Sequence, residues 1–373
     1  MDTKQMIEQT LERAQDFLLH AAQLPEERFG VKRCSSFHDT KAFPDMCLPA
    51  TYNATHALIL MGAYGNLAAD KREGLIGFFN SYQMENGFYR MPQMRDDQVW
   101  KGRDLYYTWQ YIDFHVTNYT YGAVKSLGGT CRYPLGFLKN YMEPDVLKQW
   151  LNERNMEDPW LEGNNIVNLG SFLIGELEGQ DGGRLKELGD IFLDWHDARQ
   201  DPETGYWGTN HPAHPASQMA GMAGAAHNYH LYYYFNREIH YVEKIVDYCL
   251  DFAKGGVRSA CLDVDVIDVL VNMLPYHYRE EEILECLAEF AGWLVSFQNE
   301  DGGFADEKSN GVRRMDGWAG GYFEPQGLSN CFATWFRSAT LAMIHCALFP
   351  KEQDRWTFRN TIGIGYFNKH YLR

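Results

Sequence analysis

The sequence predicts an all-α chain built in two concentric layers, with about six inner helices each paired with an outer one. Three observations carry that expectation: a turn that recurs three times, segments that are apolar almost all the way round, and the weakness of every strand signal. The turn recurs as Gln83-Met-Glu-Asn-Gly87-Phe88, Gln200-Asp-Pro-Glu-Thr-Gly205-Tyr206-Trp207 and Gln298-Asn-Glu-Asp-Gly302-Gly303-Phe304. Each copy follows a stretch with apolar residues at helical spacing, such as Leu287, Phe290, Trp293, Leu294 and Phe297. A helix ends, a glycine turns the chain, and an aromatic side chain folds back; internal repetition of this kind marks a modular architecture.

The segments 51–65, 115–129, 164–178, 221–235, 262–274 and 329–347 are small and apolar on nearly every face, as expected of helices buried on both sides. Alternating with them, 4–22, 71–83, 145–153, 184–199, 239–254 and 280–298 are amphipathic and read as the outer layer. The Val/Ile-rich run 264–271 lacks strand alternation and reads as an inner helix. Polar, aromatic loops are expected over 85–112 and 201–220, at one mouth of the ring, and no linker divides residues 1–373, so a single domain is expected.

The 373 residues carry 34 Lys+Arg against 50 Asp+Glu, a net charge of −16, and no basic cluster. Such a field repels phosphate backbones and anionic lipid surfaces, which argues against nucleic acid as a partner. No apolar run approaches the ~18 residues of a membrane span, and Met1-Asp2-Thr3-Lys4 leads into an amphipathic stretch, so a cytoplasmic protein is expected. The eight scattered cysteines, at 34, 47, 131, 249, 261, 286, 331 and 346, form no C-x-x-C pair and read as reduced thiols.

On these residues the chain resembles the α/α-toroid superfamily of terpenoid cyclases and protein prenyltransferase β subunits. The three turns resemble that group's Gln-x-x-x-Gly-x-aromatic repeat, with spacing that varies by a residue. His115 to Gly129, with Ala123-Val-Lys-Ser-Leu-Gly128, is similar to its inner helices, and Asp263-Val-Asp265 to the first three positions of the Asp-x-Asp-Asp motif of protonation-initiated cyclases. The fourth position is Val266. The resemblance covers about residues 50–348 and implies an (α/α)6 toroid, with an aspartic acid that protonates an alkene or epoxide without a metal. The zinc set of the prenyltransferases is not evident; Cys331 and His345, on one candidate helix, read as packing residues.

The richest chemical cluster is Cys261-Leu-Asp263-Val-Asp265-Val-Ile-Asp268. Asp265 and Asp268, three apart, share a helical face, and Asp263 stands where an N-cap would. Carboxylates crowded in an apolar helix cannot all ionise, so one keeps its proton and becomes a general acid. Asp265 is expected to be that acid, tuned by Asp263 and Asp268.

Asn and His recur near the starts of the other inner segments: Asn53 and His56, His115 and Asn118, Asn164, Asn165 and Asn168, His227, Asn228 and His230, and Asn330. With Tyr52, Tyr119 and Tyr229, and with Trp207 and Trp318 in the loops, they would also suit a carbohydrate, whose hydroxyls need hydrogen bonds and whose ring faces stack on aromatics. A lyase, hydrolase or epimerase of that class would use the same acids with His227 or His230 as base. A binding scaffold presenting the aromatic loops is the remaining alternative. No cofactor is expected; the partner is a small-molecule or oligosaccharide substrate.

Overall fold

The structure is a computed structural model that describes residues 2–23, 36–39, 47–91, 109–209, 211, 213–309, 312–314, 323–325 and 327–368. It is all-helical but for one short ribbon. The helices are α1 (Thr3–Asp16), α2 (Cys47–Leu60), α3 (Ala69–Ser81), α4 (Trp109–Ser126), α5 (Leu138–Tyr141), α6 (Pro144–Asn152), α7 (Pro159–Leu177), α8 (Gly182–Asp197), α9 (Pro215–Phe235), α10 (Val242–Lys254), α11 (Ala260–Met273), α12 (Glu280–Val295) and α13 (Cys331–Leu348). Antiparallel strands β1 (Val312–Arg314) and β2 (Phe323–Pro325) form the ribbon, and the described residues are otherwise consistent with the all-α class expected. With three residues each, neither can display the alternation by which a strand is recognised.

The two helix types expected from sequence are both present. On α11 every residue but Cys261 is buried, and on α7 nearly all are. By contrast α10 buries Ile245, Val246, Cys249, Leu250 and Ala253, one stripe at helical spacing. Helix α2 packs on α4, α4 on α7, α7 on α9, α9 on α11, α11 on α13, and α13 back on α2. The amphipathic helices lie against this set, with α8 on α7 and α9, α10 on α11, α12 on α13, and α1 on α12 and α13. Backbones come unusually close where Gly163 of α7 meets Gly224 of α9: a Cβ on Gly163 would stand 2.9 Å from the Gly224 Cα. A larger residue there would pry apart two neighbours in the succession.

The three repeat turns are built alike, and each joins neighbouring elements. In every copy the glutamine Nε2 donates to the glycine carbonyl that closes its own turn: Gln83 to Gly87, Gln200 to Gly205, Gln298 to Gly302. The same nitrogen donates to a second carbonyl, of Tyr133, His240 and Thr10 respectively. Through Thr10, the third turn fastens the N-terminal helix α1 onto the end of α12. The glycines sit at φ of 98°, 76° and 90°, a region that side chains disfavour. At Gly302 a Cβ would also drive into the Arg13 carbonyl of α1. Gly302→Ala is therefore expected to lower stability by roughly 2–4 kcal/mol in urea denaturation. A change below ~0.5 kcal/mol would show that the turn does not hold α1.

Two boundaries differ from expectation. Helices α4 and α9 begin at Trp109 and Pro215, inside the segments read as loops, because their first turns are polar or aromatic and lack the apolar signature of the helix body. The seven cysteines among the described residues are free thiols, as expected, and Cys34 lies outside those residues. No described helix is long and apolar enough to cross a membrane.

Candidate functional site

Helix α11 starts at Ser259, whose hydroxyl accepts from the Leu262 N–H; the cap is thus Ser259, correcting the expectation that Asp263 serves. Beyond it the helix sorts its acids by angle. Cys261, Asp265, Asp268 and Asn272 recur at intervals of four, three and four and share one face. Asp263, two residues before Asp265, points elsewhere.

Asp263 meets Arg337 of α13, whose Nη1 lies 2.6 Å from its Oδ2, with both side chains buried. The other Asp263 oxygen accepts from the Arg258 N–H at 2.8 Å. The remaining Arg337 donors go to the carbonyls of Ala305, Asp306 and Arg258. Burial pushes the Asp263 carboxyl up to about 6, while Arg337 and the Arg258 N–H pull it down. This pair ties α11 and α13 to the segment after the third repeat turn, a structural task beside the tuning role expected for Asp263.

Asp265 is wholly buried at 0% exposure, and neither carboxylate oxygen has a hydrogen-bond partner among the described residues. Burial drives its pKa well above the usual carboxylate range, and Asp268 and Asp263 add repulsion. Both effects favour the protonated form of the group. Asp268 is held differently: its Oδ1 accepts from Asn272 Nδ2 at 2.7 Å, and its Oδ2 stands 3.0 Å from Nε2 of His230 on α9. Two acids on one face thus have distinct settings, one unpaired and one beside an imidazole.

The aromatic part of the interior comes from α2, α4 and α13. Tyr52 stacks on Tyr119 at 5.3 Å, Tyr119 meets Trp335 edge to face at 5.4 Å, and Trp335 stacks on His56 at 4.7 Å. His56 Nε2 lies 3.0 Å from the Tyr119 carbonyl, which can only accept, so that nitrogen carries the proton. Burial raises the Tyr119 phenol, Arg359 opposes, and Cys261 and Asp265 of α11 raise it further, so α4 and α11 face each other here.

The amide and imidazole part comes from α4, α7 and α9. Asn118 donates to Asn168 Oδ1 at 2.6 Å and accepts from Ser171. Asn168 Nδ2 and Asn165 Oδ1 are buried without hydrogen-bond partners among the described residues, while Asn165 Nδ2 donates to Glu162. His227 Nδ1 lies 2.7 Å from the Ala223 carbonyl, which fixes the proton on Nδ1 and leaves Nε2 as an acceptor. Burial lowers His227 to about 4 and, with His227 nearby, lowers His115 to about 3. Both imidazoles are neutral at pH 7, the state a base requires.

The structure thus brings together Tyr52, His56, His115, Asn118, Asn168, His227, His230, Asp265 and Asp268. It separates others. Asn330 spends its side chain capping α13, accepting from the Ala333 N–H at 2.7 Å, in place of the substrate role expected for it. Trp207 donates to the His196 carbonyl and packs between α8 and α9 against His196 and Tyr229, away from the acids. Tyr229 donates to the Gly205 carbonyl, and Asn228 lies against His196. Asn53 is buried next to Tyr52, and Trp318 lies outside the described residues.

Arg359 and Trp335 were missed by sequence reasoning. Trp335 was hidden in an apolar run. Arg359 lies beyond the last helix, where only Gly363 and Gly365 hint at a tight return. Its guanidinium is buried, donates to Thr361, to the Ile364 carbonyl and to Asn118, and stands over the Tyr119 ring at 5.4 Å. Gly122 makes the room, since a Cβ there would stand 2.6 Å from Arg359 Nη2. The C-terminal segment is thereby pinned to α4. Burial lowers this guanidinium to about 10.

A separate open cleft of about 570 Å³ lies on the flank of α4, α5 and α6, lined by Phe88, Phe114, Phe137, Tyr141 and Trp150 among others, and holds none of the residues expected to act. No protein-family model, curated protein or solved structure matches the chain.

Proposed function

We propose that the chain is an enzyme of the α/α-toroid kind in which Asp265 gives its proton to a substrate admitted among the inner helices. The single observation that carries this reading is the buried carboxyl of Asp265, which has no hydrogen-bond partner among the described residues and whose pKa burial drives upward, toward the protonated form. The succession of α2, α4, α7, α9, α11, α13 and α2 again supports the toroid. His227, neutral with Nε2 free to accept, is the matching base, and Asp268 Oδ2 stands 3.0 Å from Nε2 of a second imidazole, His230.

The substrate class best matched by the lining is a hydroxylated ring compound of carbohydrate type. Rings from Tyr52, Tyr119 and Trp335 offer apolar faces, and the unpaired Asn165 Oδ1 and Asn168 Nδ2 offer an acceptor and a donor. A hydrocarbon would leave those amide atoms unsatisfied at about 1–3 kcal/mol each. The aromatic cluster favours a second reading, an isoprenoid cyclase in which Asp265 protonates an alkene or epoxide and the rings stabilise the cation. Thermal-shift titrations of the whole chain with neutral oligosaccharides and with polyprenyl alcohols separate the two. Stabilisation by saccharides supports the first and by polyprenyl compounds alone the second; stabilisation by neither sets both aside.

A further inference from the structure

An unassigned cluster joins the two ends of the chain, away from the acids of α11. Glu8 of α1, His345 of α13 and Glu352 of the short 3-10 helix Pro350–Arg355 each present one atom able to bind a metal, and these atoms lie within 4.8 Å of one another. The His345 side chain is 0% exposed, walled by Phe349 and Trp356, and neither ring nitrogen has a hydrogen-bond partner among the described residues. Its Nε2 stands 3.6 Å from Glu8 Oε1, so the imidazole edge is aimed into the cluster. Glu8 Oε1 is itself buried without a hydrogen bond among the described residues, although Arg355 Nη1 approaches to 3.3 Å. Buried imidazole nitrogens left unpaired are costly, and ligation would satisfy one of them.

We propose that Glu8, His345 and Glu352 form a binding site for a divalent transition metal of the zinc class, which clamps the first helix to the last inner helix and the turn that follows it. One imidazole nitrogen and two carboxylate oxygens are a ligand set that zinc accepts, with a fourth position left for water. Zinc bonds of ~2.0–2.1 Å require the three atoms to draw in to about 3.3 Å of one another. The two glutamates are partly exposed and flexible enough to close that gap around the fixed imidazole.

The carboxylates are partnered by Lys4, 2.5 Å from Glu352, and by Arg355, both partly exposed. A metal has to displace them, Lys4 first. That competition gives the site a signature: removing a ligand weakens binding, whereas removing the competing ammonium strengthens it. Zinc held by cysteines elsewhere would show neither effect.

The test is calorimetric titration of ZnCl2 into the untagged full chain in a non-thiol reductant. One zinc per chain is expected, with affinity reduced at least tenfold in Glu8→Gln and Glu352→Gln and increased several-fold in Lys4→Gln. Glu352 is exposed enough that its variant should fold, which circular dichroism checks. Absence of zinc binding by the wild type, or binding unchanged in Glu352→Gln, would overturn the proposal.

Discussion

Asp265→Asn is expected to lower turnover by about 100- to 10,000-fold, the contribution of a positioned general acid, while making the protein more stable at neutral and alkaline pH. The stability effect follows from the direction of the Asp265 shift. Its folded pKa lies above its unfolded one, so the native state holds a proton that the unfolded state releases. Its contribution to stability is complete below the ordinary carboxylate range and is lost as pH rises toward the folded pKa. Each unit of the shift contributes ~1.4 kcal/mol to that loss. The amide cannot ionise, so Asp265→Asn removes the dependence. Urea denaturation of both proteins at pH 4 and pH 8 checks this: the stability gap should widen in favour of the variant at pH 8. A variant less stable at pH 8 would mean that Asp265 is ionised and paired.

Arg337→Met is expected to destabilise the fold by about 3–5 kcal/mol, because it strands the buried Asp263 charge and three carbonyls that the guanidinium satisfies. The double variant Arg337→Met, Asp263→Asn should recover part of that loss, since the amide carries no charge in need of a partner. A double-mutant cycle in urea measures the coupling. If the two losses simply add, the pair is not the clamp between α11 and α13 described above.

The same two aspartates show how far the sequence could be read. Asp265 and Asp268 were legible together because their spacing of three places them on one helical face whatever surrounds the helix. Asp263 was not, because two residues turn a helix by ~200° and its partner lies 74 residues away on α13. The helices buried on nearly every face were legible from apolar composition, and the repeat turns from glutamine and glycine, whose hydrogen bonds are local. Asn330 was misread because an N-cap and a ligand-binding amide are the same residue type at the same place. Arg359 could not be foreseen: its role depends on a segment past the last helix folding back to Gly122 and Asn118. His345 carried no spacing signal, since its neighbours Glu8 and Glu352 come from opposite ends of the chain.

The most direct test of the account is the protonation state of Asp265 itself. An infrared difference spectrum of wild type minus Asp265→Asn at neutral pH should contain the carbonyl stretch of one protonated carboxyl group. A difference band from an ionised carboxylate, with no protonated carbonyl, would remove the proton source and with it the proposed chemistry.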